Sequence, residues 1–263
     1  MTKQERLNRI LELVVAHGTI EVESAAKALD VSVATIRRDF DELSQRNLLN
    51  RSHGAATAVG SSFTLPLTYK VAKDSDVKQR IAEKAAAMVE RFQVIGINGG
   101  TTTTEVARAL ANNPIFAPGE EPERPALTVV TNAVNIAAEL TVRHQIKIVV
   151  TGGVARAQSY ELTGPLAEKV LEEVAIDTTF LGIEAFDMRH GAMARFEDEA
   201  RVNRAIAQRA DQVVLVTTSH KFEQKAFAVI MAPNEIDVII TDDAIPAKVK
   251  KELKAQGIEV VIA

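Results

Sequence analysis

Residues 19–54 read TIEVESAAKALDVSVATIRRDFDELSQRNLLNRSHG, and this stretch decides the fold of the first part of the chain. Two segments with apolar residues at helical spacing are separated by a tight turn at residues 30–32, and a short strand and a glycine turn follow them. The preceding segment, residues 3–17, has the same spacing and ends at Gly18, where a left-handed cap costs little. This order of elements predicts a winged helix-turn-helix domain over residues 1–57.

The segment after the turn has one apolar face and one short or basic face. Ser32 is a suitable N-cap, and Ile36, Phe40 and Leu43 follow at the spacing of an inward-facing helix stripe. The opposite face, together with the strand and wing that follow, is therefore expected to contact double-stranded operator DNA. The predicted DNA-binding residues are Ser32, Ala34, Thr35, Arg37, Arg38, Arg51 and His53.

The charge of this segment limits how such binding works. Residues 1–60 hold eight Lys and Arg and eight Asp and Glu, so the domain has no bulk positive charge. Affinity must then come from the placement of a few side chains and from association of copies, which favours a homo-oligomer, a dimer or a tetramer. Two alternatives without a DNA-binding function stay open. Helical spacing is common in small three-helix domains, and paired arginines often form only a solvated face.

Composition bounds the remaining possibilities. A chain of 263 residues with 46% hydrophobic content can bury a sizeable core and is expected to form two domains. The net charge of −4 suits a cytoplasmic protein, and the absence of cysteine excludes disulfides and thiol chemistry. No apolar run reaches the length of a membrane span, and the five histidines are scattered, so we expect no membrane, metal or cofactor.

The rest of the chain alternates between strand and helix patterns. Residues 58–75 contain Gly60, Ser61, Ser62 and Pro66 and are predicted to be a linker. From residue 76 to residue 263 the alternation predicts the α/β class, with a mainly parallel sheet covered by helices. The predicted strands are 93–97, 127–131, 146–151, 178–183, 212–217, 226–231, 236–240 and 258–262.

Three of these strands end in residues suited to binding an anion. Gly-Gly followed by three threonines at the start of a helix offers bare backbone N–H groups and hydroxyls, and ligands collect at the carboxyl ends of parallel strands. Together the three segments favour a phosphate or sugar-phosphate pocket, although each alone is weak. The predicted pocket residues are Asn98, Gly99, Gly100, Thr101, Thr102, Thr103, Thr131, Asn132, Gly152 and Gly153.

Over essentially its full length the chain resembles transcriptional regulators of the DeoR family. VSVATIRRDFDEL and LLNRSHGAA resemble the helix-turn-helix and wing of that family. The later part resembles its sensor domain, which is related in fold to ribose-5-phosphate isomerase. The stretches that carry this second resemblance are GGTTT at 99–103, VVTN at 129–132, TGG at 151–153, LTGP at 162–165, FLGIEAFD at 180–187, DEA at 198–200 and SHKF at 219–222.

The resemblance implies a repressor of a sugar-utilisation operon that a phosphorylated sugar intermediate relieves. It implies that Gly100, Thr101 and Thr102 hold the phosphate. It also implies a second set of residues lining the sugar, and these are Asn132, Gly153, Glu199 and Lys221.

The sequence departs from the family at two positions. Asn98 and Thr218 stand where relatives usually carry acids, and both are expected near the phosphate loop. Either the pocket is less acidic and takes a bisphosphate or an acid sugar phosphate, or neutral residues bind the same hydroxyls.

Two other functions remain as alternatives. One is a sugar-phosphate isomerase-like enzyme with a regulatory DNA-binding head, in which Glu199 and Lys221 form an acid/base pair. The other is a winged helix that binds protein, against which the basic side chains of Arg37, Arg38 and Arg51 argue.

Overall fold

A computed structural model describes residues 1–46, 48–52, 54–57, 75–117 and 124–263. The chain divides into two compact units, Met1–Lys73 and Asp74–Ala263. Of the predicted linker, only Ser75 lies in the described ranges, where it begins a helix, and His53 lies outside them. None of the helices in these ranges is long and apolar enough to cross a membrane.

The described part of the first unit has three helices and a small antiparallel sheet. The short strand predicted before the glycine turn is β2, and two further strands, β1 and β3, join it in the order β1-β3-β2. Its elements are α1 (Lys3–His17), β1 (Thr19–Glu21), α2 (Val22–Leu29), α3 (Val33–Gln45), β2 (Asn50–Ser52) and β3 (Ala55–Thr57). One apolar cluster, which includes Ile10, Ile36 and Phe40, packs all three helices together.

Local signals set the helix ends in this unit as the sequence predicts. The Ser32 hydroxyl accepts the Thr35 N–H at 3.1 Å, so Ser32 caps α3. Asp30 takes the left-handed conformation at the end of α2, with φ 52°, which its short polar side chain tolerates. Gly18 ends α1 at φ 72°.

The second unit is built on seven parallel strands, as the alternation predicts. The sheet has the order β15-β14-β12-β9-β4-β5-β6. Its strands are β4 (Val94–Ile97), β5 (Leu127–Thr131), β6 (Ile146–Val150), β9 (Ile176–Leu181), β12 (Ala210–Val216), β14 (Val238–Thr241) and β15 (Glu259–Ile262). Its helices are α4 (Ser75–Ala86), α5 (Thr101–Asn112), α6 (Val134–Leu140), α7 (Pro165–Glu172), α8 (Glu197–Ala207) and α9 (Ala247–Ala255).

The strand order places a topological switch point between β4 and β9. From β4 the chain first builds outward through β5 and β6, then returns to β9 on the other side of β4 and continues through β12, β14 and β15. Loops that leave two adjacent strands toward opposite faces open a crevice at the carboxyl edge, which is where ligands bind in open α/β sheets.

Both faces of this sheet are buried. Val214 and Val216 of β12 belong to one apolar cluster, whereas Val213 and Leu215 belong to the other. Because side chains alternate along a strand, the two clusters lie on opposite faces of the sheet. This explains why the strands read as nearly continuous apolar runs.

Two small antiparallel sheets stand outside the expected order. The predicted strand at residues 226–231 lies outside the main sheet; it is β13 (Ala228–Met231) and pairs with a hairpin formed by β10 (Ala185–Asp187) and β11 (Gly191–Ala194). A second pair joins β7 (Val154–Ala155) to β8 (Leu162–Thr163). All five of these strands have two to four residues, which is too few to show a clear alternation pattern, and only β13 was predicted.

Candidate DNA-binding surface and effector pocket

Helix α3 presents the surface that the sequence predicts. Ile36 and Phe40 are fully buried, whereas Ala34, Arg37 and Arg38 are exposed and Thr35 is half-buried. The two guanidinium groups form no hydrogen bond or ion pair with any residue that the structure describes. They are therefore available to bases and phosphates in a major groove.

A buried ion pair, which the sequence did not suggest, fixes α3 against α1. Arg6 Nε lies 2.6 Å from Asp39 Oδ2, and Arg6 Nη2 lies 3.1 Å from Asp39 Oδ1. The Asp39 side chain is 3% exposed, and its hydrogen bond raises the pKa of Arg6. This bidentate pair sets the orientation of the helix that carries Arg37 and Arg38.

The predicted phosphate contact at Arg51 has a partner within the unit. Arg51 Nη1 is bonded to Asp41 Oδ1, and both side chains are partly exposed. The wing strand β2 is thereby tied to α3, so the guanidinium group would have to leave Asp41 in order to contact a phosphate. Ser32 is also committed, because its hydroxyl lies 2.9 Å from that of Thr35.

The anion loop lies at the switch point, between the end of β4 and the start of α5. Gly100 occupies the N-cap position with φ 156° and provides no side-chain cap, so the first-turn N–H groups of α5 lack that partner. Thr101 is half-buried at the first position of the helix. This arrangement of backbone donors suits a phosphate.

Not every threonine of the loop points toward a ligand. The hydroxyls of Thr103 and Thr104 donate to the Gly100 carbonyl at 3.2 and 2.7 Å. Thr103 is fully buried and Thr102 is 8% exposed. Among the three predicted hydroxyls, that of Thr101 is the best placed to reach a ligand, and that of Thr103 shapes the turn.

Asn98 joins the two loops of the switch point. Its Oδ1 accepts the Gly182 N–H at 2.8 Å, and its Nδ2 donates to the Gly182 carbonyl at 3.0 Å. With the side chain 1% exposed, both polar atoms serve the backbone that follows β9. An aspartate could not donate to that carbonyl, so the amide has a structural reason here, beyond the ligand contact that the sequence predicted.

Thr131 and the Gly152-Gly153 pair also shape the crevice. The Thr131 hydroxyl donates to the Ile97 carbonyl at 2.6 Å and accepts the Ala133 N–H at 3.0 Å. Gly152 and Gly153 have φ 70° and 116°, values that L side chains rarely adopt. A Cβ atom on Gly153 would lie 2.5 Å from the Thr163 carbonyl oxygen, so only glycine fits there.

Glu161 is the pocket residue that the sequence did not reveal. Its carboxylate oxygen Oε1 accepts the Gly99 N–H at 3.2 Å and lies 3.4 Å from Asn132 Nδ2. A Cβ atom on Gly99 would lie 2.3 Å from Glu161 Cγ. Burial and the nearby Glu199 carboxylate raise the pKa of Glu161 to about 8, against hydrogen bonds from Asn203, Asn132 and Gly99.

Glu199 and Lys221 each form an ion pair with a different residue. Glu199 Oε1 lies 3.1 Å from Arg156 Nε, and Lys221 Nζ lies 3.5 Å from Glu184 Oε2. Burial raises the pKa of Glu199, although Arg156 opposes that shift. Arg156 also bonds Asp198 at 2.7 Å.

An acid stands close to the strand end where Thr218 replaces the usual one. Thr218 Oγ1 lies 2.8 Å from His220 Nδ1, and Asp242, just after β14, accepts the Ser219 N–H at 2.6 Å. An acid, Asp242, therefore stands beside the strand end at Thr218.

The comparisons with known proteins agree with both units. The model of the DeoR-like helix-turn-helix domain matches residues 6–62, and that of the DeoR C terminal sensor domain matches residues 73–243. The HTH-type transcriptional regulator GlpR of Haloferax volcanii is 36% identical over 263 residues, covering 99% of this chain and 98% of that protein. The glycerol-3-phosphate regulon repressor of Escherichia coli strain K12 is 31% identical over 260 residues, covering 98% of each chain.

Solved structures of ribose 5-phosphate isomerases are among those similar to the chain. A solved structure of ribose 5 phosphate isomerase A from Neisseria gonorrhoeae is 17% identical, with a TM-score of 0.41 over 58% of this chain and 55% of that chain. The full-length relatives are named as transcriptional regulators and repressors and not as enzymes. The helix-turn-helix, the parallel α/β unit and these matches together show that the chain is a DNA-binding transcriptional regulator of the DeoR family.

Proposed function

We propose that this regulator is a repressor of a carbohydrate-utilisation operon, and that a phosphorylated intermediate releases it from DNA. Helix α3 reads the operator, and two or more copies match the two-fold symmetry that operators of this kind have. The effector phosphate binds at the Gly99–Thr103 loop, and the hydroxyls of the effector contact the side chains around Asn132 and Glu199.

The observation that carries this proposal is the start of α5. A helix without a side-chain cap begins at the switch point of a parallel sheet, with Thr101 half-buried beside its free N–H groups. Backbone donors and the positive end of the helix dipole favour a phosphate dianion over a neutral sugar. The name of the E. coli relative adds that a related chain controls genes linked to glycerol 3-phosphate.

A mobility-shift titration tests the effector. The protein is bound to DNA from upstream of its own gene, and glycerol 3-phosphate, glycerol and a panel of pentose and hexose monophosphates are added. We expect at least one phosphorylated compound to release the DNA and its unphosphorylated counterpart to have no effect. Equal release by both members of such a pair contradicts the proposal.

A threonine pair separates the loop from general effects on the sensor unit. Thr101→Val keeps the shape and removes the hydroxyl, and we expect effector affinity to fall by about five- to tenfold, which corresponds to ~1 kcal/mol for one lost hydrogen bond. Thr128→Val, at a half-buried position of β5 in the same sheet, is the matched control. Equal loss in the two variants, measured by calorimetry, removes the loop from the site.

An arginine pair tests the DNA surface in the same way. Arg38→Ala is expected to cost ~1–3 kcal/mol of operator binding per half-site without changing stability, since the side chain is exposed and unpaired among described residues. Arg9→Ala on α1, whose side chain is 67% exposed and pairs with Glu12, is the control. If a folded Arg38→Ala variant binds operator as tightly as the wild type, α3 does not dock as proposed.

A further inference from the structure

The proposed effector pocket contains an acid that phosphate binding leaves unexplained. Glu161 Oε1 takes the Gly99 N–H at 3.2 Å, and this is the first amide of the loop proposed to hold the phosphate. The residue is 4% exposed, so it cannot swing out to solvent without moving its neighbours. A charged carboxylate at this position would repel an arriving phosphate dianion. The protonation state of Glu161 therefore decides whether the loop can receive one.

The groups that face Glu161 favour its neutral form. The charged group acting on it is Glu199 of α8, a like charge, and the other contacts come from the Asn132 and Asn203 amides and the Gly99 N–H. Arg156, the cation that lies against Glu199, is also bonded to Asp198. Glu199 in turn feels Asp198 and Glu184. Burial and Glu199 raise the pKa of Glu161 to about 8, so the proton stays on at neutral pH.

The same cluster has an unmet acceptor. Asn132 is fully buried, and its Oδ1 has no hydrogen-bond partner among the described residues. A neutral Glu161 adds an O–H donor a few ångströms away, because Asn132 Nδ2 lies 3.4 Å from Glu161 Oε1. One donor and one acceptor side by side match a hydroxyl that neighbours a phosphate group.

We propose that Glu161 is a specificity-determining residue of the effector pocket: as a neutral carboxylic acid it donates its proton in a hydrogen bond to an oxygen of the bound effector. The proton is shared in this hydrogen bond and is not transferred to the effector. When Glu161 is ionised in the free protein, binding of a phosphate dianion takes up one proton from solvent. This inference rests on the proposed function of the pocket as a phosphate-ester sensor.

Calorimetric titration of the full chain with glycerol 3-phosphate between pH 7 and pH 9.5 tests the inference. The second phosphate pKa is about 6, so the ligand is a dianion throughout this range. We expect a level affinity up to about pH 8 and a fall approaching tenfold per pH unit above it, as one-proton linkage requires. Glu161→Gln keeps a neutral donor and should give a level profile.

A matched variant removes a charge elsewhere on the same helix as Glu199. Glu197 is exposed in the first turn of α8. The affinity of the Glu197→Gln variant for glycerol 3-phosphate should fall with pH as steeply as that of the wild type. If the affinity of Glu161→Gln falls as steeply as the other two, or if the wild type is level to pH 9.5, the inference is overturned.

A measurement without ligand separates this inference from the proposed function. In protein labelled with carbon-13 at glutamate carboxyls, one resonance should titrate near pH 8 and be missing from Glu161→Gln. If every glutamate titrates below pH 6, the inference falls while phosphate sensing stands. If the resonance is present and neither glycerol 3-phosphate, inorganic phosphate nor the sugar monophosphates bind, phosphate sensing falls and Glu161 remains a neutral acid.

Discussion

The face of α3 and the pocket at the carboxyl edge of the sheet organise functional side chains in opposite ways. Arg37 and Arg38 project from a helix whose other face is buried, so their function and the stability of the unit are separate. Glu161, Asn132 and Asn98 are almost fully buried and held by one another or by backbone, so in the pocket a change to function is also a change to stability.

The difference follows from what we propose each unit recognises. DNA is larger than the domain, and a rigid helix with exposed arginines meets it from outside. A small anion must be surrounded, so the sensor unit brings loops from several strands together and buries them. Substitutions should therefore divide cleanly between folding and binding in the first unit and should mix the two in the second.

The largest effect is expected from Gly153→Ala in the pocket. The new Cβ would lie 2.5 Å from the Thr163 carbonyl at a φ of 116°, and strain and overpacking together should cost about 4 kcal/mol of unfolding free energy. Gly152→Ala shares a positive φ but meets nothing within 4 Å, so about 1 kcal/mol is expected. Denaturant unfolding of both variants measures the difference, and equal losses would show that the close approach to Thr163 is unimportant.

Asp39→Asn should be an exception in the DNA-binding unit, because this one substitution is expected to affect both folding and binding. Removing the charge that faces Arg6 leaves a guanidinium group whose side chain is only 14% exposed, and we expect a loss of about 3 kcal/mol. Glu12→Gln, in an exposed pair with Arg9, should change stability by less than about 0.5 kcal/mol. Thermal unfolding compares the two, and a neutral Asp39→Asn would mean that this pair does not hold α3 in place.

Glu161 makes the stability of the sensor unit depend on pH. Its pKa is raised from 4.5 to about 8, so between these values the folded state binds more protons than the unfolded state and stability falls as pH rises. Glu161→Gln, which cannot ionise, should match the wild type near pH 4.5 and exceed it by about 2 kcal/mol at pH 6.5. Urea unfolding at both pH values is the measurement, and a difference that is the same at both would refute a raised pKa.

The smallest effect is expected where the wing meets α3. Asp41→Asn frees the Arg51 guanidinium group for a phosphate, and because both groups are exposed the gain in operator affinity should be about 0.5 kcal/mol. The salt dependence of binding should also steepen slightly. Glu12→Gln removes the same charge from α1 and serves as the control, and weaker operator binding by Asp41→Asn would show that the pair positions the wing.

More of the first unit than of the second could be predicted from the sequence. Helical periodicity predicts that Ile36 and Phe40 face inward and that Arg37 and Arg38 face outward. Ser32 also caps the helix as predicted. Both features could be predicted because they are properties of one helix and its turn. The Arg6–Asp39 pair could not be predicted, because it joins residues that are 33 positions apart in sequence and share no pattern.

In the sensor unit the parallel sheet could be predicted and the interior of the pocket could not. The alternation of strands and helices is periodic, whereas Glu161 reaches Gly99 from a loop between two-residue strands, across 62 positions. Asn98 looked like a ligand contact because it ends a strand, but its partner Gly182 comes from the opposite half of the sheet. Side chains that meet only through tertiary contacts leave no periodic trace.

The bridge between Asn98 and Gly182 has a consequence for how the protein is made. It joins residues 84 positions apart across the boundary between the two halves of the sheet, so the pocket cannot exist until β9 has been synthesised and has paired with β4. The DNA-binding unit, with its short-range contacts at the N-terminal end, is complete much earlier in translation. On a ribosome, this order yields a chain whose DNA-binding unit has folded while its sensor unit is still incomplete.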